Sequence, residues 1–288
     1  LRPFPCLIAL LALLCAPSAF AQTEGAQAAA ASASGALGEN FVSVGLGLAV
    51  MPDYEGSNDY RALPMPGAIG RVRGYNFVYL GNRLSVDLIR HDRESRWDIQ
   101  LGPVAAVGLN RTSLNGIHDS RVRALGKVNP SVELGGYAGI ARWGVITSDY
   151  DRLSATLTVR HDVAGGHGGT IITPSISYMT PLSTTAMIGL YASANHADDH
   201  YAGAYYSISP AQSGASGLPA FGARGGWKDW TLAAAGNVSL TGNLTHGLSL
   251  VGGVAYTRLL NDFADSPVTS IAGSRAQWMA GMGLAYTF

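Results

Sequence analysis

Apolar residues recur at every second position in segment after segment of this chain, and successive side chains of a β-strand point to opposite faces. In residues 41–50, Val42, Val44, Leu46, Leu48 and Val50 share one parity, and Ser43, Gly45, Gly47 and Ala49 the other. Leu101, Pro103, Ala105 and Val107 likewise stand against Gln100, Gly102 and Gly108, and Leu153, Ala155, Leu157 and Val159 against Ser154, Thr156, Thr158 and Arg160. The pattern continues with Ile172, Ile176 and Tyr178 against Thr173, Ser175 and Ser177, then with Leu232, Val238 and Leu240 against Thr231, Asn237 and Ser239, and with Leu248, Leu250, Val254 and Tyr256. It ends in residues 277–288, where Trp278, Ala280, Met282, Leu284, Tyr286 and Phe288 oppose Gln277, Met279, Gly281, Gly283, Ala285 and Thr287. Twelve strands are predicted, starting near Phe41, Arg61, Tyr75, Leu84, Trp97, Asn129, Tyr150, Gly169, Thr184, Asp229, Leu244 and Ala276. Alternation is weakest over residues 76–90, where Gly81-Asn82 reads as a hairpin turn or a bulge.

The connections test that count. Those after even strands, at 71–74, 91–96, 181–183 and 241–243, are short, with 143–149 somewhat longer, whereas 110–128, 196–227 and 259–275 after odd strands are long and polar. A soluble sandwich has no reason to alternate loop length, but an outer-membrane barrel keeps short turns on its periplasmic side and long loops outside. The expected fold is all-β: an antiparallel transmembrane barrel of about twelve strands, with the apolar parity towards lipid and the polar parity towards the lumen. Charged residues make up 13 % of the chain, against about 25 % in soluble proteins, which indicates a large surface not facing water. Basic and acidic residues are equal at 19 each, so no excess of positive charge is available to hold a nucleic-acid backbone.

Residues 1–21 read as an export signal, with Arg2, an apolar run from Leu7 to Leu14 and the small-x-small pattern Ala19-Phe20-Ala21. Cleavage is expected after Ala21. Leu14 stands where a lipoprotein signal needs a small residue before Cys15, so lipidation is not expected, and Cys6 and Cys15 leave with the signal. Residues 22–39, mostly Ala, Ser, Gly and Gln, carry too little apolar surface to offset the entropy of ordering and are expected to form a flexible periplasmic tail. Residues 40–288 are the barrel domain. No later run approaches the eighteen apolar residues of a spanning helix. The last strand resembles the C-terminal assembly signal of outer-membrane barrels through Trp278, Met282, Leu284, Tyr286 and Phe288. That resemblance implies recognition by the barrel assembly machinery and contact with outer-membrane lipids.

Several loops resemble the MipA/OmpV family of MltA-interacting proteins. The stretches that carry the resemblance are PDYEGSNDY at 52–60, GGHGG at 165–169, SGASGLP at 213–219, WKDW at 227–230, RLLNDFADSP at 258–267 and the terminal YTF. They stand in the family's order and spacing, although the family more usually has an Ala-Arg-Ser-Gly-Leu-like run in place of SGASGLP. The resemblance implies an outer-membrane barrel, and in one member a scaffold joining a murein hydrolase to a penicillin-binding protein. It supplies no catalytic residues.

The remaining chemistry is sparse. His196 and His200 flank Asp198 and Asp199 at the start of the longest loop and would share a strand face, which is the basis for a remote reading as a hydrolase or metal site. With no Cys or Glu beside them, a solvated strand end is the expectation, and no catalytic, cofactor-binding or metal residue is assigned. His167, between glycine pairs, reads as part of a tight turn, and the glycines there lack the Lys-Ser/Thr of a phosphate loop. Arg61, Arg71, Arg73, Arg160 and Arg258 lie in or near strands, where Glu133, Asp87 and Asp98 are candidate lumen partners. Two functions therefore compete: a non-enzymatic scaffold for peptidoglycan enzymes, and a passive pore for small solutes or antibiotics.

Overall fold

The structure, a computed structural model, describes residues 40–90 and 95–288. The expected signal with Ala19 and Ala21, the tail at 22–39 and most of the 91–96 turn lie outside the described residues. The strands are β1 (Phe41–Pro52), β2 (Tyr60–Val72), β3 (Tyr75–Leu80), β4 (Arg83–Val86), β5 (Trp97–Gly108), β6 (Ser131–Trp143), β7 (Arg152–Asp162), β8 (Thr170–Pro181), β9 (Ala186–Ala197), β10 (Gly226–Ser239), β11 (Gly247–Leu259) and β12 (Ala276–Thr287). Each pairs antiparallel with its sequence neighbours, and β1 pairs with β12 from Ser43↔Thr287 to Val50↔Ala280, closing the barrel. Every predicted start lies within three residues of the observed one, the largest departures being Asp229 for Gly226 and Leu244 for Gly247.

The three longest connections, 109–130, 198–225 and 260–275, follow odd strands as expected, but the parity is not strict, since the seven-residue β7–β8 connection is shorter than β4–β5, of ten residues, and β6–β7, of eight. Between β3 and β4 the chain turns in two residues, with Gly81 at φ 61°. Gly81-Asn82 is thus a hairpin turn, and just past β4 the Asp87 N–H donates to the Asn76 carbonyl while its carboxylate accepts from the N–H groups of Ile89 and Leu101.

The faces separate as the alternation requires. Leu48 is 62 % exposed and its neighbour Ala49 is 3 % exposed. Trp278, Met282, Leu284, Tyr286 and Phe288 all lie on the exposed outer face. Outward aromatics gather at two levels. Trp230, Tyr256 and Trp278 stack in series at the loop end, with ring centroids 5.4 and 4.8 Å apart. Tyr286 and Phe288 meet at 4.8 Å at the turn end, where Arg142 lies 5.2 Å over Trp97. Trp278 and Tyr286 are eight positions apart, which at ~3.4 Å per residue and a strand tilt of ~40° spans about 20 Å of apolar band. Aromatic belts with an apolar band between them are what a bilayer requires of a barrel.

The closing seam is tight. A Cβ on Gly47 would stand 2.6 Å from the Met282 carbonyl oxygen, and one on Gly283 would stand 2.6 Å from Gly47 Cα. Glycine here lets the two backbones approach. At the turn end, Asp151 organises the β6–β7 connection by accepting from the N–H groups of Val145, Ile146 and Thr147, and from the Tyr178 hydroxyl at 2.9 Å. Burial alone raises the Asp151 pKa, but these donors outweigh it and hold the carboxyl well below the ordinary Asp range.

Two outcomes are expected. Gly47→Val should lower the temperature at which the folded gel band converts to the unfolded one, through an overpacking cost of about 1–3 kcal/mol. Gly236→Ala, whose added Cβ meets nothing closer than 3.7 Å, should not. Because the Asp151 pKa is depressed, its stabilisation is full above the unfolded Asp value of about 3.9 and disappears only as pH falls through the lower folded value. Hydrogen exchange at residues 145–147 should therefore keep its protection from pH 7 down to pH 4. Asp151→Asn should lose about 2 kcal/mol of that protection at every pH in the range.

Candidate functional site

The long connections fold over one mouth of the barrel. Their helices are α1 (Ser120–Ala124), α2 (Asp199–Tyr206), α3 (Pro210–Ser216), α4 (Asn261–Asp265) and α5 (Pro267–Ser270). Such short helices need capping and tertiary packing to persist. Asp198 caps α2 by accepting from Tyr201 N–H, and also holds Thr170 N–H of β8. Ser209 and Gln212 form a reciprocal capping box on α3, Pro210 opens it, and Gly217 at φ 74° closes it. Tyr54, Ile117, Val122, Leu218 and Val268 make one apolar cluster, and Tyr201, Tyr205, Tyr206, Leu259 and Phe263 make another. Tyr54 donates to the Ala272 carbonyl at 2.7 Å, and the Arg111 guanidinium donates to the Tyr205 carbonyl at 2.8 Å, tying the loops to one another.

Beneath this cap lies a layer of buried charge. Lys228 Nζ bridges Glu55 Oε1 and Asp229 Oδ2, the latter at 3.1 Å, with all three side chains no more than 4 % exposed. One cation does not satisfy two carboxylates, and neutral donors supply the remainder. Tyr201 Oη donates to Glu55 Oε2 at 2.6 Å, and Asn195 Nδ2 donates to Asp229 Oδ1 at 2.8 Å, while Asn195 Oδ1 accepts from Thr173. Burial, with Glu55 beside it, pushes the Tyr201 hydroxyl well above the ordinary tyrosine pKa and keeps it a donor. On the opposite wall Arg160 pairs with Glu133 at 2.6 Å. His167 accepts from Gly169 N–H through Nδ1, so its Nε2 carries the proton and donates to Glu133 at 3.3 Å.

The expected lumen pairs are therefore partly realised. Arg160 meets Glu133, but Asp98 takes Arg152 at 2.7 Å, a cation that the sequence reading did not single out. Asp87 serves a turn, Arg71 donates to Asn76, Arg73 sits in the β2–β3 turn at φ 55°, and Arg258 is exposed beside Tyr256. Nor does the structure assemble His196 and His200 into a centre. His196 packs edge-on against outward Trp227, Asp198 is a helix cap, and Asp199 accepts from Gly225 N–H. A different group comes together instead: Asp53, Asp59 and His118 each offer a ligand atom within 4.8 Å of the others. Asp53 Oδ2 already accepts from both the backbone and the ring of His118, so the group acts as a tie between two loops.

Nearer the turn end the lumen changes character. The expected inward parity is polar on the β5–β8 wall, where Gln100, Ser154, Thr156 and Ser175 hydrogen-bond across strands. On the other wall it consists of small and apolar residues. There a cavity of about 240 Å³ is lined by Ala49, Met65, Ala235, Ala255, Met279 and inward glycines. Phe41, Met179, Met187 and Leu244 close its turn end as one apolar cluster, with Ile69 and Trp143 packed against it.

The stretches that set the loops apart in sequence meet in this cap. Glu55 belongs to PDYEGSNDY, His167 to GGHGG, Leu218 to SGASGLP, Lys228 and Asp229 to WKDW, and Phe263 to RLLNDFADSP. Comparison with known proteins gives a family. No curated protein matches the chain in sequence. Among solved structures it is similar to an outer-membrane channel from Pseudomonas putida F1, at 12 % identity and a TM-score of 0.44 over 87 % of this chain and 96 % of that one. It is also similar to the NanC porin, at 10 % identity and 0.42 over 86 % and 98 %, and to the DcaP channel of Acinetobacter baumannii, at 10 % and 0.39 over 86 % and 96 %. Likeness at these levels carries no argument about function. The family model described as MltA-interacting protein MipA, in contrast, matches residues 44–288, which takes in β2 to β12, all but the first three residues of β1 and every loop of the cap, and the chain belongs to that family of outer-membrane barrels.

Proposed function

We propose that this barrel works through its surface and not through its lumen, as a membrane-anchored docking partner for a murein hydrolase and a penicillin-binding protein at the periplasmic face. The observation that carries the reading is the seal. A conducting path through the loop end would have to cross Lys228, Glu55, Asp229 and the Tyr201–Phe263 packing, and breaking a buried ion pair costs about 3–5 kcal/mol. The family's description as MltA-interacting supplies the class of partner. The reading assigns catalysis to no residue, His196 and His200 included.

The turn end offers a surface that fits. Leu88, Ile146, Tyr150, Leu182 and Leu240 are exposed on the turns that follow β4, β6, β8 and β10. Exposed apolar groups on successive turns make a rim, and a stable interface buries about 1,200–2,000 Å² in total. Residues 22–39 would add area by ordering on contact. Export through the periplasm, cleavage after Ala21 and assembly through Trp278, Met282, Leu284, Tyr286 and Phe288 complete the proposal.

The purified barrel should give no steady single-channel steps in a planar bilayer. Lys228→Met, which leaves two buried carboxylates without their cation, should produce them or unfold the cap. Crosslinked pull-down from the periplasm should capture a murein hydrolase. Ile146→Asp with Leu182→Asp should reduce that capture at least ten-fold while the heat-shifted gel band stays intact. Robust conductance by the unaltered protein with no hydrolase captured would replace this reading with a solute pore.

A further inference from the structure

We propose that the apolar cavity in the lumen is a binding site for a small amphiphile, an uncharged molecule with an apolar body and a single hydroxyl. This is independent of partner docking. The cavity has a volume of about 240 Å³ and lies against β1–β3 and β8–β12. An apolar cavity of roughly 150 Å³ stays dry and admits benzene, so this one has room for a bicyclic aromatic or a short alkyl chain. Its space is made by small residues. Ala235 on β10, Ala255 on β11 and Ala49 on β1 occupy inward positions at which other stretches of the barrel carry Thr158, Arg160 or Gln277. Met65, Met179, Met187 and Met279 complete the wall with flexible side chains that conform to varied shapes.

Ser43 and Asn237 are inward polar side chains on the lining, and Asn237 gives the site a direction. Asn237 lies on the same wall, and its Oδ1 is buried and accepts no hydrogen bond among the described residues. A buried amide oxygen without a donor costs about 1–3 kcal/mol, and a ligand donor placed there recovers it. Asn side chains are assigned by their hydrogen bonds, and a hydroxyl, which both donates and accepts, satisfies Asn237 in either orientation. None of the described residues that line the cavity is charged, so a charged headgroup gains no partner from them.

Entry is from the turn end. The opposite mouth is closed by ion pairs and hydrogen-bonded aromatics, whereas here Leu244, on the β10–β11 turn, closes the cavity by apolar contact with Phe41, Met179 and Met187. That turn is tied to the β8–β9 turn through Leu244 N–H and the Thr184 carbonyl at 3.0 Å. A second tie, Ser239 N–H to the Thr185 carbonyl at 2.7 Å, lies beside it, and entry requires Leu244 to leave the cluster as these turns part.

The test uses the full barrel in lipid nanodiscs, with 2-naphthol and naphthalene as probes followed by calorimetric titration. One saturable site per barrel is expected for 2-naphthol, and binding of naphthalene about ten-fold weaker, the worth of one hydrogen bond. Asn237→Leu should bring 2-naphthol to the naphthalene level. Ala235→Phe should abolish both while keeping the thermal transition of the barrel, and Ala255→Leu serves the same purpose if the phenylalanine variant fails to assemble. Leu232→Phe, on the lipid face of the same strand and away from the cavity lining, should change nothing. Uptake that grows with lipid without saturating, or that is unchanged in the Ala235→Phe and Ala255→Leu barrels, would overturn the proposal.

Discussion

The ammonium of Lys228, held between Glu55 and Asp229 out of reach of water, is the constraint on which the loop end depends. Taking each ion out of water costs several kcal/mol, and attraction alone does not repay that unless every remaining lone pair finds a donor. Tyr201 and Asn195 supply those donors, and each comes from a different element: Glu55 from the β1–β2 loop, Tyr201 from α2, Asn195 from β9 and Lys228 from β10. The charge network therefore requires the helices to sit where they do. Once α2 is docked, its tyrosines meet Phe263 of α4, and the apolar cluster around Tyr54 closes over the top. A barrel wall alone would leave an open mouth.

That arrangement divides the interior into levels with different physics. Ion pairs fix the loop end in one geometry because a shifted charge would be left without a partner. The apolar wall below has no such requirement and is free to keep a void. At the turn end, Arg152 pairs with Asp98, Asp151 orders the β6–β7 connection, and Leu244 packs by apolar contact against Phe41, Met179 and Met187. Docking of a periplasmic partner and entry of a small ligand would both occur there, away from the seal. The outer surface carries neither role. Its aromatic belts hold the barrel at a fixed depth in the bilayer, so the turns and their exposed apolar side chains stand at one of its interfaces with water.

The wall was legible in the sequence because one rule governs it. A lipid-facing strand shows its period of two whatever it pairs with, and the strand starts could be placed to within three residues. The weakest stretch, residues 76–90, was also where the ladder breaks, since β4 spans only Arg83–Val86. Lys228 lay in view in WKDW, but nothing local names Glu55, 173 positions away, as its partner. His167 read as a turn residue, and it is one, yet its burial against Glu133 and Tyr201 depends on how the loop folds inward. The apolar cavity was obscured for another reason. Gly, Ala and Met on the inward parity looked neutral beside Ser and Thr, and only the closed barrel shows that they gather on one wall. Asp53, Asp59 and His118 were likewise too far apart in sequence to be associated.

The account rests on the loops being a folded plug held by buried charge, and not a mobile fringe. Hydrogen–deuterium exchange in outer-membrane vesicles measures this directly at the amides of α2 and α4. The account predicts protection of residues 201–206 and 264–266 comparable to that of the β10 and β11 ladders, falling to loop values when Glu55 is replaced by Ala. Exchange of those amides within seconds in the unaltered protein would contradict it.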